Sequence, residues 1–387
     1  MKRILIFNDS LALGGTELLL IDLLSHLVDK GCAITLLLPQ PSPEYILQDR
    51  IPSSVTVKYL YKANTSRIKK KVGESIMIFT PRLFTRFKAI KESDYDLVIC
   101  FKESFYACIF SKMKIKKILW IHNILYRRKY TITSFKERIA VWLNKKQIKR
   151  SQNLYRKYDK VICVSDICKN VYTDIIYGEQ CPTQDIVVLY NSIDFEKVIL
   201  KSKEPIKNLP QAITKFILVT RASPEKRIDR LIDATSRLKQ EGYSFLTYIA
   251  GEGLDNEDMK TNLNLSNLTD TVYLLGRLDN PYPYILQSNW LLCVSERESF
   301  SLVLLEAMAL KTPIITTDCG GPANIINNGE YGILVENSSD GVYNGMKAVL
   351  DDPTLSIKYS SHLDEALKRF DYNGWLKNVD QILDIEK

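Results

Sequence analysis

Short apolar runs recur along this chain, separated by segments long enough to form helices. The first, RILIF, leads into a glycine-containing loop, NDSLALGGTE, and then into apolar residues at helical spacing from Leu18 to Leu27. A buried parallel strand followed by a helix accounts for that order, because a strand covered on both faces reads as a continuous apolar run. The unit returns around AITLLLP, DLVICF, KILWIH and KVICVS. Such alternation predicts an α/β fold with a doubly wound parallel sheet. After VVLYNSID the pattern weakens from Lys197 to Gln211, a polar, lysine-rich stretch containing prolines. It resumes with KFILVTRA, the helix-like RIDRLIDATSRLKQ, and then FLTYIAG, TVYLLG, WLLCVS, PIITT and GILV. The expected organisation is two successive doubly wound domains, 1–196 and 197–367, facing a cleft.

Composition adds few surprises, with 45% hydrophobic and 25% charged residues over 387 positions, enough for two cores. The opening MKRILIFNDS places only four apolar residues before Asn8, too few for a secretory signal. The run LLLIDLLSHLV contains Asp22 and His26 and falls short of the roughly 20 apolar residues of a membrane span, so a core helix is expected there. A cytoplasmic protein follows as the default. The eight cysteines at 32, 100, 108, 163, 168, 181, 293 and 319 form no CxxC pair, and buried, reduced thiols are expected. Charge is uneven. Residues 1–200 hold 33 Lys+Arg against 19 Asp+Glu, and 201–387 hold 20 against 26. The stretch 101–150 alone carries 14 basic and 2 acidic side chains, which calls for an anionic partner.

The passage richest in chemistry is SERESFSLVLLEAMALKTPIITTDCGGPANII, where Glu298 and Glu306 stand eight positions apart. If SLVLLEAMAL is helical, Glu306 lies on it and Glu298 in the loop before its start, with about 12 Å of helix rise between them. Carboxylates so separated cannot share one metal, but they can hold opposite ends of an extended ligand. The backbone amides of Phe300, Ser301 and Leu302 at the helix start suit a diphosphate between them. This passage resembles the ExxxxxxxE region of glycosyltransferase family 4, including the order of EAMA, Pro313, Asp318 and the Gly320-Gly321-Pro322 loop. The resemblance implies a retaining glycosyltransferase of GT-B architecture: two Rossmann-like domains, the second for a nucleotide-sugar donor and the first for the acceptor. A C-terminal helix, 368–387, is expected to complete the first domain. By the same resemblance Glu306 binds ribose hydroxyls and Glu298 faces the transferred sugar.

Further segments extend the likeness. RASPEKRIDRLIDA places Arg221 and Lys226 where the family carries an Arg and a Lys, fixed cations that offset the charge of a departing diphosphate. LALGGTE resembles the family's glycine loop, and Gly14 and Gly15 let the backbone approach a ligand at a helix start, although a tight strand-to-helix turn needs the same residues. His122 ends the run KILWIH, where family members often carry a His near the donor sugar, against the plain reading of a core histidine. Gly251 and Gly253 in AGEGLD and Arg277 in LLGRL are expected to shape turns near the nucleotide. Asp94-Tyr95-Asp96 spells the DxD of metal-dependent transferases, but it directly precedes the strand LVIC, and a helix-to-strand turn explains it. No metal and no other cofactor are expected.

In the basic region, Ser134 and Glu137 form a capping-box pattern, with Phe135, Ile139 and Trp142 on one helix face. That face is expected to pack inward, leaving cations free to contact anionic lipid, each contributing about 1 kcal/mol. No recognition motif accompanies the charge, which argues against nucleic acid. The likeness covers nearly the whole chain. It departs at Ser299 and Lys311, where glycines are usual, and at Asn324, where a Glu is frequent. It implies transfer with retention, Arg221 and Lys226 stabilising the phosphate while Glu298 and His122 orient the sugar. A UDP-sugar is expected ahead of a GDP-sugar as donor, and a lipid-linked glycan of bacterial surface polysaccharide synthesis as acceptor, at the cytoplasmic membrane face. Two alternatives remain at this point: a nucleotide-sugar epimerase of the same fold, and a degenerate transferase acting as a partner or sugar-binding subunit.

Overall fold

A computed structural model describes residues 1–87, 90–125, 149, 150, 153–206 and 214–385. The capping-box helix expected around Ser134–Glu137, with Phe135, Ile139 and Trp142, lies outside them. The chain forms two compact units. One comprises Met1–Tyr190 with Leu376–Lys387, the other Asn191–Trp375. The division thus falls before the polar stretch beginning at Lys197, because Asn191 and Ser192 are already buried and the Ser192 hydroxyl donates to the Phe370 carbonyl oxygen.

The first unit is built on seven strands: β1 (Arg3–Phe7), β2 (Ala33–Leu38), β3 (Thr56–Tyr59), β4 (Leu97–Cys100), β5 (Lys116–Ile121), β6 (Lys160–Cys163) and β7 (Asp185–Val188). They are ordered β3-β2-β1-β4-β5-β6-β7, and every pairing is parallel. Central strands are covered on both faces, so β4 and the last four residues of β1 are buried throughout. The run at Leu18–Leu27 is the helix Gly15–Asp29, which sinks Leu19, Leu20, Leu23, Leu24 and Leu27 into the core. Among the described residues no helix is long and apolar enough to cross a membrane. The unit is closed by the helix Tyr372–Leu383. There Asp380 meets His26 at 2.7 Å and Lys30 at 3.0 Å, and the Lys2 ammonium donates to the carbonyls of Leu383 and Asp384.

The second unit has six parallel strands: β8 (Lys215–Val219), β9 (Leu246–Ala250), β10 (Val272–Gly276), β11 (Trp290–Cys293), β12 (Ile314–Thr317) and β13 (Ile333–Val335), in the order β10-β9-β8-β11-β12-β13. Its core joins Phe216, Leu231, Leu238, Ile249, Trp290 and Met346, each such burial contributing about 1.5–3 kcal/mol. In both sheets the order departs from a central strand in two directions, the doubly wound pattern the apolar runs imply.

Two details bear on function. Asp94-Tyr95-Asp96 lies at the turn entering β4, and Asp96 forms a 2.6 Å ion pair with Arg3 at the start of β1, which holds its carboxyl down at about 2. The motif ties the amino ends of two strands together. The thiols depart from expectation: six of the eight are buried, but Cys32 is half-buried and Cys181 is exposed, because the polar loop after Tyr177 has no core to enter.

The helix Ser339–Asp351, capped by the Ser338 hydroxyl, packs closely on β12 and β13 at Gly345. A Cβ there would stand 2.7 Å from Val335 Cγ1 and 2.9 Å from Ile315 Cγ2. Helix propensity alone gives Gly345→Ala a gain of about 1 kcal/mol, whereas overpacking costs about 1–3 kcal/mol. A net loss of stability is expected in chemical denaturation of the second unit. A more stable variant would mean that the helix can move away from the sheet at little cost.

Candidate functional site

In the second unit, the loops leaving β8, β9, β10, β11 and β12 all emerge at one edge of the sheet, because all strands run parallel. Three of them are fastened together. The Glu298 amide donates to the Cys319 carbonyl at 2.9 Å, the Gly321 amide donates to the Glu298 carbonyl at 2.8 Å, and the Glu296 amide donates to the Glu225 carbonyl at 2.8 Å. The segment after β11 is therefore pinned on both sides, toward the Gly-Gly-Pro loop and toward the 3-10 turn Pro224–Lys226. A fourth loop is drawn in at Gly251, where φ is +150° and a Cβ would lie 1.5 Å from the Thr220 carbonyl oxygen. Only glycine lets the two backbones meet that closely. Gly253 follows with φ +76° beside Ala222, and the Ala222 amide donates to the Glu252 carbonyl at 3.2 Å.

This framework brings most of the sequence-identified residues of the second unit together. Lys226 and Glu298 form an ion pair, each side chain only 17% exposed. Burial works against the Lys226 ammonium, but Glu298 beside it more than compensates and raises the lysine above its ordinary value, so it is held charged. Arg221 reaches Glu225 at 3.7 Å and is otherwise 69% exposed, a cation free to swing. Arg277 contacts Asp279 at 3.3 Å in the loop after β10. Behind the Lys226–Glu298 pair lie the thiols of Cys293 and Cys319, in contact with each other.

The expected helix is Leu302–Ala309, preceded by buried Phe300 and by Ser301, whose φ of +78° is left-handed. A non-glycine residue in that region stores about 1–3 kcal/mol of strain, and such strain concentrates at sites where geometry is imposed for function. Glu306 sits on this helix. Burial pushes its carboxyl up to about 7, against a hydrogen bond from Tyr282, the first residue of the helix Tyr282–Leu286. Tyr282 went unremarked in the sequence, because the YPYIL segment carries no feature that points to Glu306, twenty-four positions away.

In the first unit, the groups at the carboxyl edge are different. Gly14 caps the helix Gly15–Asp29, and a Cβ on it would lie 2.5 Å from a Glu17 carboxylate oxygen. Glu17 turns back over the helix start and pairs with Lys102 at 3.1 Å, and Lys102 also meets Asp9 at 3.1 Å. The missing side chain at Gly14 thus makes room for an internal carboxylate. His122 directly follows β5. It is 5% exposed, stacks on Trp120 with ring centroids 5.7 Å apart, and lies 4.7 Å from the Phe101 ring. Among the described residues neither ring nitrogen has a hydrogen-bond partner. Burial, and secondarily the Lys102 charge, hold its pKa down to about 3, so the imidazole is neutral at ordinary pH. Among the described residues no group of three or more His, Cys, Asp or Glu is placed to hold a metal ion.

Residues 201–373 match the model of the Glycosyl transferases group 1, and residues 13–197 match that of Glycosyltransferase Family 4. The chain belongs to the family 4-like glycosyltransferases of GT-B architecture. A relative in Campylobacter jejuni, N-acetylgalactosamine-N,N'-diacetylbacillosaminyl-diphospho-undecaprenol 4-alpha-N-acetylgalactosaminyltransferase, is 31% identical over 56% of this chain and 58% of its own length. The N-acetyl-alpha-D-glucosaminyl L-malate synthase of Bacillus anthracis is 29% identical over 45% of this chain and 46% of its own. The chain therefore spans only about half the length of these curated relatives. Among solved structures, Anabaena HepE with UDP and glucose superposes with a TM-score of 0.72 at 16% identity, covering 99% of this chain and 100% of that one. Sucrose-phosphate synthase from Thermosynechococcus elongatus gives 0.75 at 16% identity, covering 99% and 98%.

Against the family pattern, Lys311 adopts φ +60°, which explains why glycine is usual there and why lysine is tolerated only at some cost. Ser299 is buried in the pinned loop, and the Asn324 carbonyl accepts from Arg369 at 2.8 Å. The raised Glu306 carboxyl weakens the fold at high pH. Its folded value of about 7 exceeds the ordinary 4.5, so its stabilising contribution is full below about pH 4.5 and lost as pH rises through about 7. Glu306→Gln should therefore stabilise the second unit at pH 8 by roughly 1–3 kcal/mol and leave it unchanged at pH 4.5, as read by thermal unfolding. Equal stability at both values would mean that the carboxyl is well solvated.

Proposed function

We propose that this protein is a retaining glycosyltransferase that moves a sugar from a UDP-sugar onto a lipid-linked glycan. The observation carrying the reading is the convergence, at one sheet edge, of Lys226, Glu298, Glu306 and the start of the helix Leu302–Ala309. A nucleotide sugar is long and anionic in its middle. Helix-start amides and a buried lysine suit the diphosphate, and a carboxylate on the helix suits the ribose hydroxyls. In this reading Arg221 joins Lys226 as the departing phosphate gathers charge, which makes a metal unnecessary. Glu298 and, on the first unit, His122 are assigned to the transferred sugar. Neutral imidazole offers one donor and one acceptor, which matches a hydroxyl pair. Retention requires the acceptor hydroxyl to attack the face the phosphate leaves, its proton passing to the leaving phosphate oxygen. UDP as the nucleotide is supported by the UDP complex of the Anabaena fold relative.

The lipid-linked acceptor draws support from the Campylobacter jejuni relative, named for an undecaprenol-diphosphate-linked substrate. The surface chemistry of the first unit agrees. A cavity of about 1360 Å³ is lined by apolar Leu37, Val57 and Ile76 together with Lys58, Lys62 and Lys69, and the helix Arg67–Phe79 beside it exposes Ile68 and Val72. Apolar and cationic groups side by side suit an anionic membrane face, as does the basic stretch 101–150.

Turnover with purified protein tests the reaction. Sugar release from a UDP-sugar should continue in the presence of EDTA and fall about 100- to 1,000-fold in Lys226→Ala, and Glu306→Ala should weaken UDP binding. Activity lost to EDTA and restored by manganese would overturn the metal-free scheme, and an isomerised sugar nucleotide formed without acceptor would indicate an epimerase. Membrane contact is read separately by liposome sedimentation. The protein should pellet with anionic but not neutral vesicles at 0.1 M salt, where the Debye length is about 10 Å, and dissociate at 1 M, where it is about 3 Å. A variant with Arg127, Arg128, Lys145 and Lys146 changed to Ser, positions outside the described residues, should stay in solution. Equal partitioning of both proteins would favour a soluble acceptor.

A further inference from the structure

Glu103 lies three residues beyond β4 and is shared by the segment that follows β5. One carboxylate oxygen accepts the His122 peptide N–H at 2.7 Å, and the other accepts the Asn123 side-chain amide. The strand ladder ends at Ile121, so the His122 amide has no strand partner and depends on this carboxylate. The imidazole it supports is buried, with both ring nitrogens unsatisfied among the described residues. The ring packs against Trp120 and Phe101, and its direction is set by the backbone that Glu103 holds.

We propose that Glu103 is a positioning residue of the transfer reaction: its carboxylate clamps the His122 and Asn123 segment to the end of β4 and thereby aims the His122 imidazole. The inference rests on the assignment of His122 to the sugar under the proposed function. It carries a pH consequence, because burial pushes the Glu103 carboxyl up to about 7 in spite of its hydrogen bonds. The ionised form grips two donors, and the protonated form grips them less firmly. The groups around it do not titrate in that range. Lys102 is held charged by Glu17 and Asp9, His122 is neutral, and burial raises both the Tyr155 hydroxyl and the Cys163 thiol.

The experiment is the pH dependence of kcat at saturating UDP-sugar, so that effects on nucleotide binding through Glu306 drop out. The unaltered protein should lose turnover as pH falls below about 7. Glu103→Gln should be about tenfold slower at pH 8, equivalent to about 1.4 kcal/mol, with that acidic limb abolished and UDP affinity unchanged. Glu103→Asp should keep an acidic limb, displaced in pH, which separates loss of the carboxylate from loss of the fold. In the His122→Ala background Glu103→Gln should add little, as expected of a residue acting through the imidazole. An unchanged limb in Glu103→Gln, or full additivity with His122→Ala, overturns the assignment. A wild-type protein that transfers no sugar from any UDP-, GDP- or ADP-sugar sinks the transferase reading itself, and the role of Glu103 with it.

Discussion

Parallel pairing of every strand is the constraint from which the rest follows. When neighbouring strands all run the same way, each connection must cross the sheet through a helix, and every loop leaving a strand's carboxyl end surfaces at the same edge. In the second unit five such loops meet, and residues more than seventy positions apart, Lys226 and Glu298, become neighbours. In the first unit the same rule brings Asp9, Lys102, Glu103 and His122 together from three different strands. At the amino ends, Arg3 of β1 pairs with Asp96, so the second carboxylate of the DxD ties two strands together.

What could be read from the chain itself depended on how strongly each element was covered. The central strands are buried on both faces and announce themselves as apolar runs. The edge strands β3 and β7, TVKY and DIVV, face water on part of their surface, and β3 carries no such run. At the candidate site, Lys226, Glu298 and Glu306 were legible because they sit in two passages that resemble the family's. Glu103 and Tyr282 were not. Their roles arise from hydrogen bonds to residues 19 and 24 positions away, a relation that only the folded sheet creates. The sequence assigns Lys226 and Glu298 separate tasks, and the fold pairs them, so that Glu298 keeps the lysine charged.

Several placements in the two units weaken the fold locally. Ser301 and Lys311 occupy left-handed backbone, and Glu103 and Glu306 are carboxyls that burial holds near neutrality. A protein optimised only for stability would carry glycine and glutamine there. The dense cores on either side of these loops, from Phe216 to Met346 in the second unit, supply the excess that makes such placements tolerable.

The path of the chain has a consequence for its synthesis. The first unit needs the end of the helix Tyr372–Leu383, where Asp380 meets His26 and Lys30 and the last carbonyls meet Lys2. Those residues leave the ribosome only after all of 191–375. A nascent chain must therefore carry its opening sheet with one flank uncovered while the second unit is being made. The amino-terminal half becomes self-contained last, and its apolar flank is the surface that chaperones would meet throughout that interval.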